Sequence, residues 1–129
     1  MPSSFHVVIT DFLDDATVET PVLGEIARIT LAGAHDEVGL APHLPDADAL
    51  IVYHEVPMLT DASWSLAEKC RGVARAGVGF NNLDIVAAGR RGIAVCNVPD
   101  YGTEEVADHA IMMLLAVARN LVGCHSAIQ

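Results

Sequence analysis

The segment Arg75–Gly79 has the residue types that can hold a small organic anion. Glycines on both sides of Val78 allow the backbone to approach a ligand closely, and exposed N–H groups ahead of a helix bind negative charge. Arg75 adds a planar guanidinium that suits a carboxylate. A second turn-forming segment, Val98–Thr103, follows the next apolar run. The two segments predict a carboxylate-sized anion site, with two purely structural turns as the equal alternative.

The string Gly77–Asn82 is close to the dinucleotide fingerprint GxGxxG, and Asp100 lies about twenty residues further on, near the position of a ribose-binding acid. Two features count against a pyrophosphate site. Asn82 stands where the third glycine is needed for close helix–strand packing, and the string follows the fourth apolar run, whereas the fingerprint follows the first strand of its unit. The loop therefore favours a carboxylate.

The sequence shows no metal-ligand spacing. Its six histidines form no HxxxH or HExxH pattern, and Cys70, Cys96 and Cys124 are far apart, so we predict three buried free thiols and no metal. The net charge of −10 argues against nucleic-acid binding. Residues 69–129 carry six bases against five acids, so an anion would bind in the second half of the chain.

Five apolar runs predict the strands that position these segments. The runs are continuous and not alternating, which is typical of parallel strands covered on both faces. Helix-forming segments lie between them, so the alternation predicts an α/β fold with a doubly wound parallel sheet of about five strands. Both anion-binding segments then follow carboxyl ends of strands, where such sheets bind ligands. The runs cover residues 5–10, 28–32, 49–53, 73–76 and 93–97.

Helix caps can be placed from side-chain types. Thr60 or Asp61 is the predicted cap of a helix that extends to about Lys69, and Asn82 is the predicted cap of a helix that ends at Gly92.

A long final helix is predicted over residues 103–121, with Thr103 as its cap. It is apolar around most of its circumference, which indicates contact with a further surface, either a partner chain or another domain. The longest apolar run, Ala110–Ala118, is too short to span a bilayer, and the N-terminus lacks the basic region of a signal peptide. We therefore expect a cytoplasmic protein that does not bind membranes.

The stretch 75–120 resembles the D-isomer-specific 2-hydroxyacid dehydrogenases, a family that includes phosphoglycerate, lactate and formate dehydrogenases and the C-terminal-binding corepressors. The resemblance depends on the glycine pair and on the strings at 82–84 (NLD), 91–93 (RGI) and 97–99 (NVP), which occur in that order. It implies a flavodoxin-like substrate-binding lobe over residues 1–102. Residues 103–129 would be the helix that crosses between lobes and the start of a linker, and the NAD-binding Rossmann domain would be absent.

The resemblance also implies an activity and its residues. The parent enzyme would transfer hydride between NAD or NADP and a small 2-oxo or 2-hydroxy acid. This chain alone would be inactive, because the family's catalytic arginine, glutamate and histidine belong to the missing lobe. A homo-oligomer through the 103–121 helix or the missing domain is expected. The implied substrate-binding residues are Arg75, Ala76, Gly77, Val78, Gly79 and Tyr101, and the implied cofactor contacts are Val78 and Thr103.

Two alternatives and one open question accompany this interpretation. A protein- or peptide-binding module of the corepressor type would use the same fold. A phosphoacceptor receiver would use Asp11 with its neighbouring acids, but the third strand ends in Tyr-His-Glu and no lysine follows the fifth. His54 and Glu55 have no role implied by the family. They follow the third strand and could approach the site, although a solvated loop is the simpler expectation.

Overall fold

A computed structural model describes residues 5–129 of the chain. Its centre is a single sheet of five strands, in which every neighbouring pair is parallel. The strands, in chain order, are β1 (His6–Asp11), β2 (Arg28–Ala34), β3 (Ala49–Val52), β4 (Gly72–Arg75) and β5 (Ala94–Cys96). Each lies within or beside one of the five apolar runs, so the predicted α/β fold is confirmed.

Helices connect the strands, as parallel pairing requires. The first two are single turns, and a short 3₁₀ turn, Ala41–His43, follows the second. The helices are α1 (Thr20–Leu23), α2 (Glu37–Leu40), α3 (Asp61–Leu66), α4 (Ile85–Arg90), α5 (Thr103–Ala118) and α6 (Leu121–Ile128).

The strand order is β2-β1-β3-β4-β5, which is the flavodoxin-like order. The order reverses between β1 and β3, and ligands of open α/β sheets bind outside the carboxyl ends of the strands at such a point. A ligand site is therefore expected among the residues that follow β1, β3 and β4.

The core consists of the central strands and the helices packed against them. Val8, Leu50 and Val52 are almost completely buried, as is Trp64 of α3. The Trp64 indole Nε1 donates to the carbonyl of Asp84 at 3.0 Å, so its one polar group is satisfied.

The three cysteines differ in their surroundings, so the prediction of three buried thiols was wrong for two of them. Cys70 is buried, and burial raises the pKa of its thiol. Cys96 and Cys124 are exposed. The reason for Cys96 is its place on β5, an edge strand of the sheet.

The N-cap of helix α4 is Asp84, two residues after the predicted cap, Asn82. An isolated parallel bridge joins Leu59 to Leu83, and the Asp84 N–H donates to the Leu59 carbonyl at 2.9 Å. This pairing holds Leu83 and Asp84 against Leu59 and outside the helix, and the Asp84 carboxylate then accepts from the Ala87 N–H and caps the helix. Asn82 is free for another role. The predicted left-handed residue at the other end, Gly92, is confirmed with φ 75°.

The other two predicted caps had different outcomes. Thr60 caps α3 in a capping box with Ser63, but the helix ends at Leu66 because Ala67 leaves helical geometry. Gly102, and not Thr103, is the N-cap residue of α5, and no side chain caps that helix. Thr103 is the first helical residue.

The chain divides into two compact units, Met1–Pro99 and Asp100–Gln129. The second unit consists of α5 and α6, which are separated by Asn120 in the left-handed conformation (φ 50°), so the predicted 103–121 helix is interrupted. None of the residues of α5 is buried. Within residues 5–129 no single helix has the length and apolarity to cross a membrane; α5 and α6, with 60° between them, meet those two criteria only when taken together.

Candidate functional site

The glycine loop, residues Ala76–Gly79, continues directly from the carboxyl end of β4. Ala76 N–H still donates to the Val52 carbonyl of β3 at 2.8 Å, and the Gly77 N–H turns back to the Arg75 carbonyl at 2.8 Å. The carbonyls of the loop are held from the segment after β5. Val98 N–H donates to Gly77 at 3.1 Å, and the Asn97 side chain donates to Val78 at 2.8 Å.

With its carbonyls occupied, the glycine loop has N–H groups left over. Among residues 5–129, no protein acceptor receives a hydrogen bond from the backbone N–H of Val78 or of Gly79. The Val78 side chain is about half exposed, and Gly79 is only partly covered. Two unengaged donors on a glycine-flanked turn, in residues that are partly open to solvent, suit the binding of a carboxylate.

Arg75 is buried, with 5% of its surface exposed. Its Nη1 donates to the Tyr53 carbonyl at 2.7 Å, and its Nη2 lies 3.7 Å from the Glu55 carboxylate. Its Nε is buried with no hydrogen-bond partner in the described part of the chain. The guanidinium is thus a positive charge held in place by the Tyr53 carbonyl, and its buried Nε donor is unused.

Gly77 provides the space in which the Arg75 guanidinium lies. A Cβ at position 77 would be 2.5 Å from Nη1 and 3.0 Å from Cζ of Arg75. The glycine is therefore required for close contact between loop backbone and guanidinium, and not for a left-handed conformation, since its φ is not positive.

The four residues that follow strand β3, residues 53–56, are called here the β3 segment. Three side chains hold its backbone in place, those of Asp11, Arg75 and Asn82. The Asp11 carboxylate accepts from the Tyr53 N–H at 3.1 Å and from the His54 N–H. Arg75 donates to the Tyr53 carbonyl, as described, and the Asn82 amide donates to the His54 carbonyl at 3.2 Å. These roles of Asp11 and Asn82 were not predicted from the sequence. The one sequence feature that could have indicated such a role is the position of Asp11, an acid directly at the end of the apolar run of β1.

The His54 and Glu55 side chains are directed to different neighbours. His54 Nδ1 lies 3.0 Å from the Asp11 carboxylate, and its ring stacks on Phe12 with 4.3 Å between centroids. Phe12 also stacks on His35. Glu55 is exposed, and its carboxylate is 3.0 Å from the position that a Cβ on Gly79 would take. Glu55 therefore belongs to the surroundings of the glycine loop.

Tyr53 forms a hydrogen bond from its hydroxyl to the Glu19 carboxylate. Burial, followed by this hydrogen bond and the charge of Glu19, raises the pKa of Tyr53 to about 12. Because its ordinary pKa is 10.0, the neutral phenol stabilises the fold below pH 10 and this contribution is lost as the pH rises toward 12.

Between pH 10 and pH 12, we expect the free energy of unfolding to fall less in Tyr53→Phe than in wild type, because the variant has no phenol to ionise. The measurement is the urea unfolding midpoint at several pH values across this window, with Tyr101→Phe as control because Tyr101 is exposed. Parallel curves for wild type and Tyr53→Phe would show that the phenol does not contribute.

The implied site residues are divided between the two units. Residues 75–79 lie together at the carboxyl edge of the sheet, beside the β3 segment. Tyr101 and Thr103 belong to the second unit, where Tyr101 is exposed and Thr103 begins α5. No group of three potential metal ligands occurs among residues 5–129.

The glycine loop does not fit the pyrophosphate of a dinucleotide. The N-terminus of the following helix α4 already carries the carboxylate of Asp84, which would repel a phosphate there. Asn82 donates to the β3 segment in place of the glycine that would allow close helix packing. A small carboxylate on the loop needs neither feature.

Comparison with known proteins gives consistent matches. Residues 7–124 match the family described as D-isomer specific 2-hydroxyacid dehydrogenase, catalytic domain. Over 123 residues the chain is 33% identical to a D-3-phosphoglycerate dehydrogenase of Mycobacterium leprae (strain TN). The aligned region covers 95% of this chain and 23% of that protein. The chain thus spans less than a quarter of the length of this curated relative.

Solved structures of related dehydrogenases and reductases are also similar to this chain. An NADPH-dependent glyoxylate/hydroxypyruvate reductase from Sinorhizobium meliloti, in complex with citrate, is 28% identical with a TM-score of 0.69, covering 87% of this chain and 34% of that one. An NAD-dependent formate dehydrogenase from Staphylococcus aureus, in complex with NAD, is 25% identical with a TM-score of 0.72, covering 94% and 40%.

Proposed function

Because the chain belongs to the D-isomer specific 2-hydroxyacid dehydrogenase family, we propose that it is the substrate-binding lobe of a nicotinamide-dependent enzyme that interconverts 2-oxo and 2-hydroxy acids. The observation that carries the proposal is the pair of unengaged N–H groups at Val78 and Gly79, next to the buried charge of Arg75. We assign the catalytic arginine, glutamate and histidine, and the main cofactor site, to the length that the relatives have beyond this match.

In this proposal the glycine loop holds the substrate carboxylate. The N–H groups of Val78 and Gly79 donate to its oxygens, and Arg75 supplies the opposite charge close to Gly77. Fixing the carboxylate also fixes the neighbouring C2 carbon, where the reaction occurs. This lobe therefore binds and orients the substrate.

NAD or NADP, when bound, supplies or accepts the hydride at the substrate C2. Related dehydrogenases are known with each of these cofactors. We propose that Val78 and Thr103 contact the nicotinamide end and that Tyr101 contacts the substrate. The exposed apolar face of α5, which includes Met112 and Leu115, would be covered by a second copy or by the cofactor domain.

The test is reduction of 2-oxo acids by the complete protein that contains this chain, followed by NADH or NADPH absorbance. We expect Arg75→Lys to lower kcat/KM by about 10- to 100-fold, mainly through KM, because lysine keeps the charge but cannot reproduce the guanidinium geometry. Arg71→Lys is the matched control, since Arg71 is exposed just before β4, at the opposite edge of the sheet. Unchanged KM and kcat in Arg75→Lys would refute the assignment of Arg75.

A further inference from the structure

Glu55 places a negative charge where the proposed substrate would bind. Its carboxylate lies 3.7 Å from Arg75 Nη2 and 3.0 Å from the position of a Cβ on Gly79. Three quarters of the Glu55 side chain is exposed, so the carboxylate faces the same solvent from which a ligand reaches the glycine loop. Any anion on the loop is therefore a neighbour of Glu55.

The backbone that carries Glu55 is fixed on both sides. Asp11 accepts from the N–H of His54, and Asn82 donates to the carbonyls of His54 and Val56 at 3.2 and 3.4 Å. Arg75 holds the carbonyl of Tyr53. The side chain can rotate, but its Cα cannot withdraw from the loop without breaking these bonds.

Arg75 is the only arginine or lysine at this edge among residues 5–99. Lys69 pairs with Asp46, and two arginines of the α4 end pair with Asp61. The remaining two, Arg28 and Arg71, lie at the start of β2 and just before β4, on the opposite edge. Arg75 can pair with one substrate carboxylate. Among residues 5–99, no further arginine or lysine lies at this edge to pair with a second anionic group.

We infer that Glu55 makes the site selective for 2-oxo acids with a single anionic group, and against substrates that carry a phosphate or a second carboxylate. The inference rests on the proposed function and deepens it. This substrate selectivity would distinguish the chain from the phosphoglycerate dehydrogenase to which it is 33% identical, since that protein is named for a phosphorylated substrate. The physical cause is like-charge repulsion at close range between Glu55 and the additional anionic group, since Arg75 is already paired with the substrate carboxylate.

The experiment compares matched substrates on the complete protein. Pyruvate is paired with oxaloacetate, and hydroxypyruvate with its phosphate ester, so each pair differs by one anionic group. We expect wild type to have a higher kcat/KM for the singly charged member of each pair. Glu55→Gln should narrow that preference by about tenfold, because it removes one charge–charge repulsion and keeps the side-chain shape.

Glu68→Gln is the control, because it makes the same change of net charge at an exposed residue beyond the end of α3, near the start of β4. It should leave the preference unchanged, and all three proteins should share one thermal midpoint. A wild-type preference for the doubly charged substrates, or equal preferences in wild type and Glu55→Gln, would overturn the inference and leave the proposed function intact. Failure to reduce any of the four 2-oxo acids with either cofactor would overturn both.

Discussion

Asp11→Ala is expected to lower the free energy of unfolding by about 3–5 kcal/mol, the size of effect seen when one partner of a buried charged network is removed. The Asp11 carboxylate is completely buried and accepts four hydrogen-bond donors. The donors are the Thr10 hydroxyl, the backbone N–H groups of Tyr53 and His54, and the His54 ring. Alanine would leave two backbone N–H groups without an acceptor, and each costs about 1–3 kcal/mol.

Urea unfolding of the purified protein measures this change, with Asp14→Ala as control because Asp14 is an exposed acid in the loop that follows β1. Asp11→Asn separates hydrogen bonding from volume. The amide keeps the shape but presents a donor to a ring of donors, so it should recover only part of the loss. A loss below about 1 kcal/mol in Asp11→Ala would show that water replaces the carboxylate at this position.

The strands could be predicted from the sequence because each is a continuous run of mostly apolar residues, and such a run is a local signal even though only β1 is buried along its whole length. Ala49–Val52 and Gly72–Arg75 are short, and composition alone located them. The cap of α4 could not be predicted in the same way. Asn82 and Asp84 are both good capping residues, and the choice depends on the bridge between Leu59 and Leu83, which are far apart in sequence.

In the candidate site, too, some residues could be predicted from local sequence and others depend on contacts between distant parts of the chain. The glycine loop and Arg75 were predicted because their residue types fit an anion whatever surrounds them. The contribution of Asp11 and Glu55 depends on β1 and β4 both lying next to β3, which is a property of the strand order. Apolar runs give the number of strands and not their order, so the contacts around the β3 segment were beyond sequence reasoning.

Gly77→Ala is expected to lower kcat/KM of the complete enzyme by about a hundredfold, with a loss of about 1–3 kcal/mol in the free energy of unfolding. The added Cβ would lie 2.5 Å from Arg75 Nη1, so the guanidinium must move. Because Arg75 is buried, movement breaks its bond to the Tyr53 carbonyl and displaces the charge on which carboxylate binding depends. No backbone strain is added, since φ at Gly77 is not positive.

Gly89→Ala is the matched control for this prediction. Gly89 lies within α4, a Cβ there would meet no atom within 4 Å, and its φ is also not positive. Alanine at this position should raise the free energy of unfolding by about 0.5–1 kcal/mol and leave kcat/KM unchanged, because it only favours the helix. The two substitutions add the same methyl group, so opposite signs in stability can come only from the surroundings of each glycine. If Gly77→Ala keeps wild-type kcat/KM, Arg75 has another position from which it supports the substrate, and the close contact between guanidinium and loop is not needed for binding.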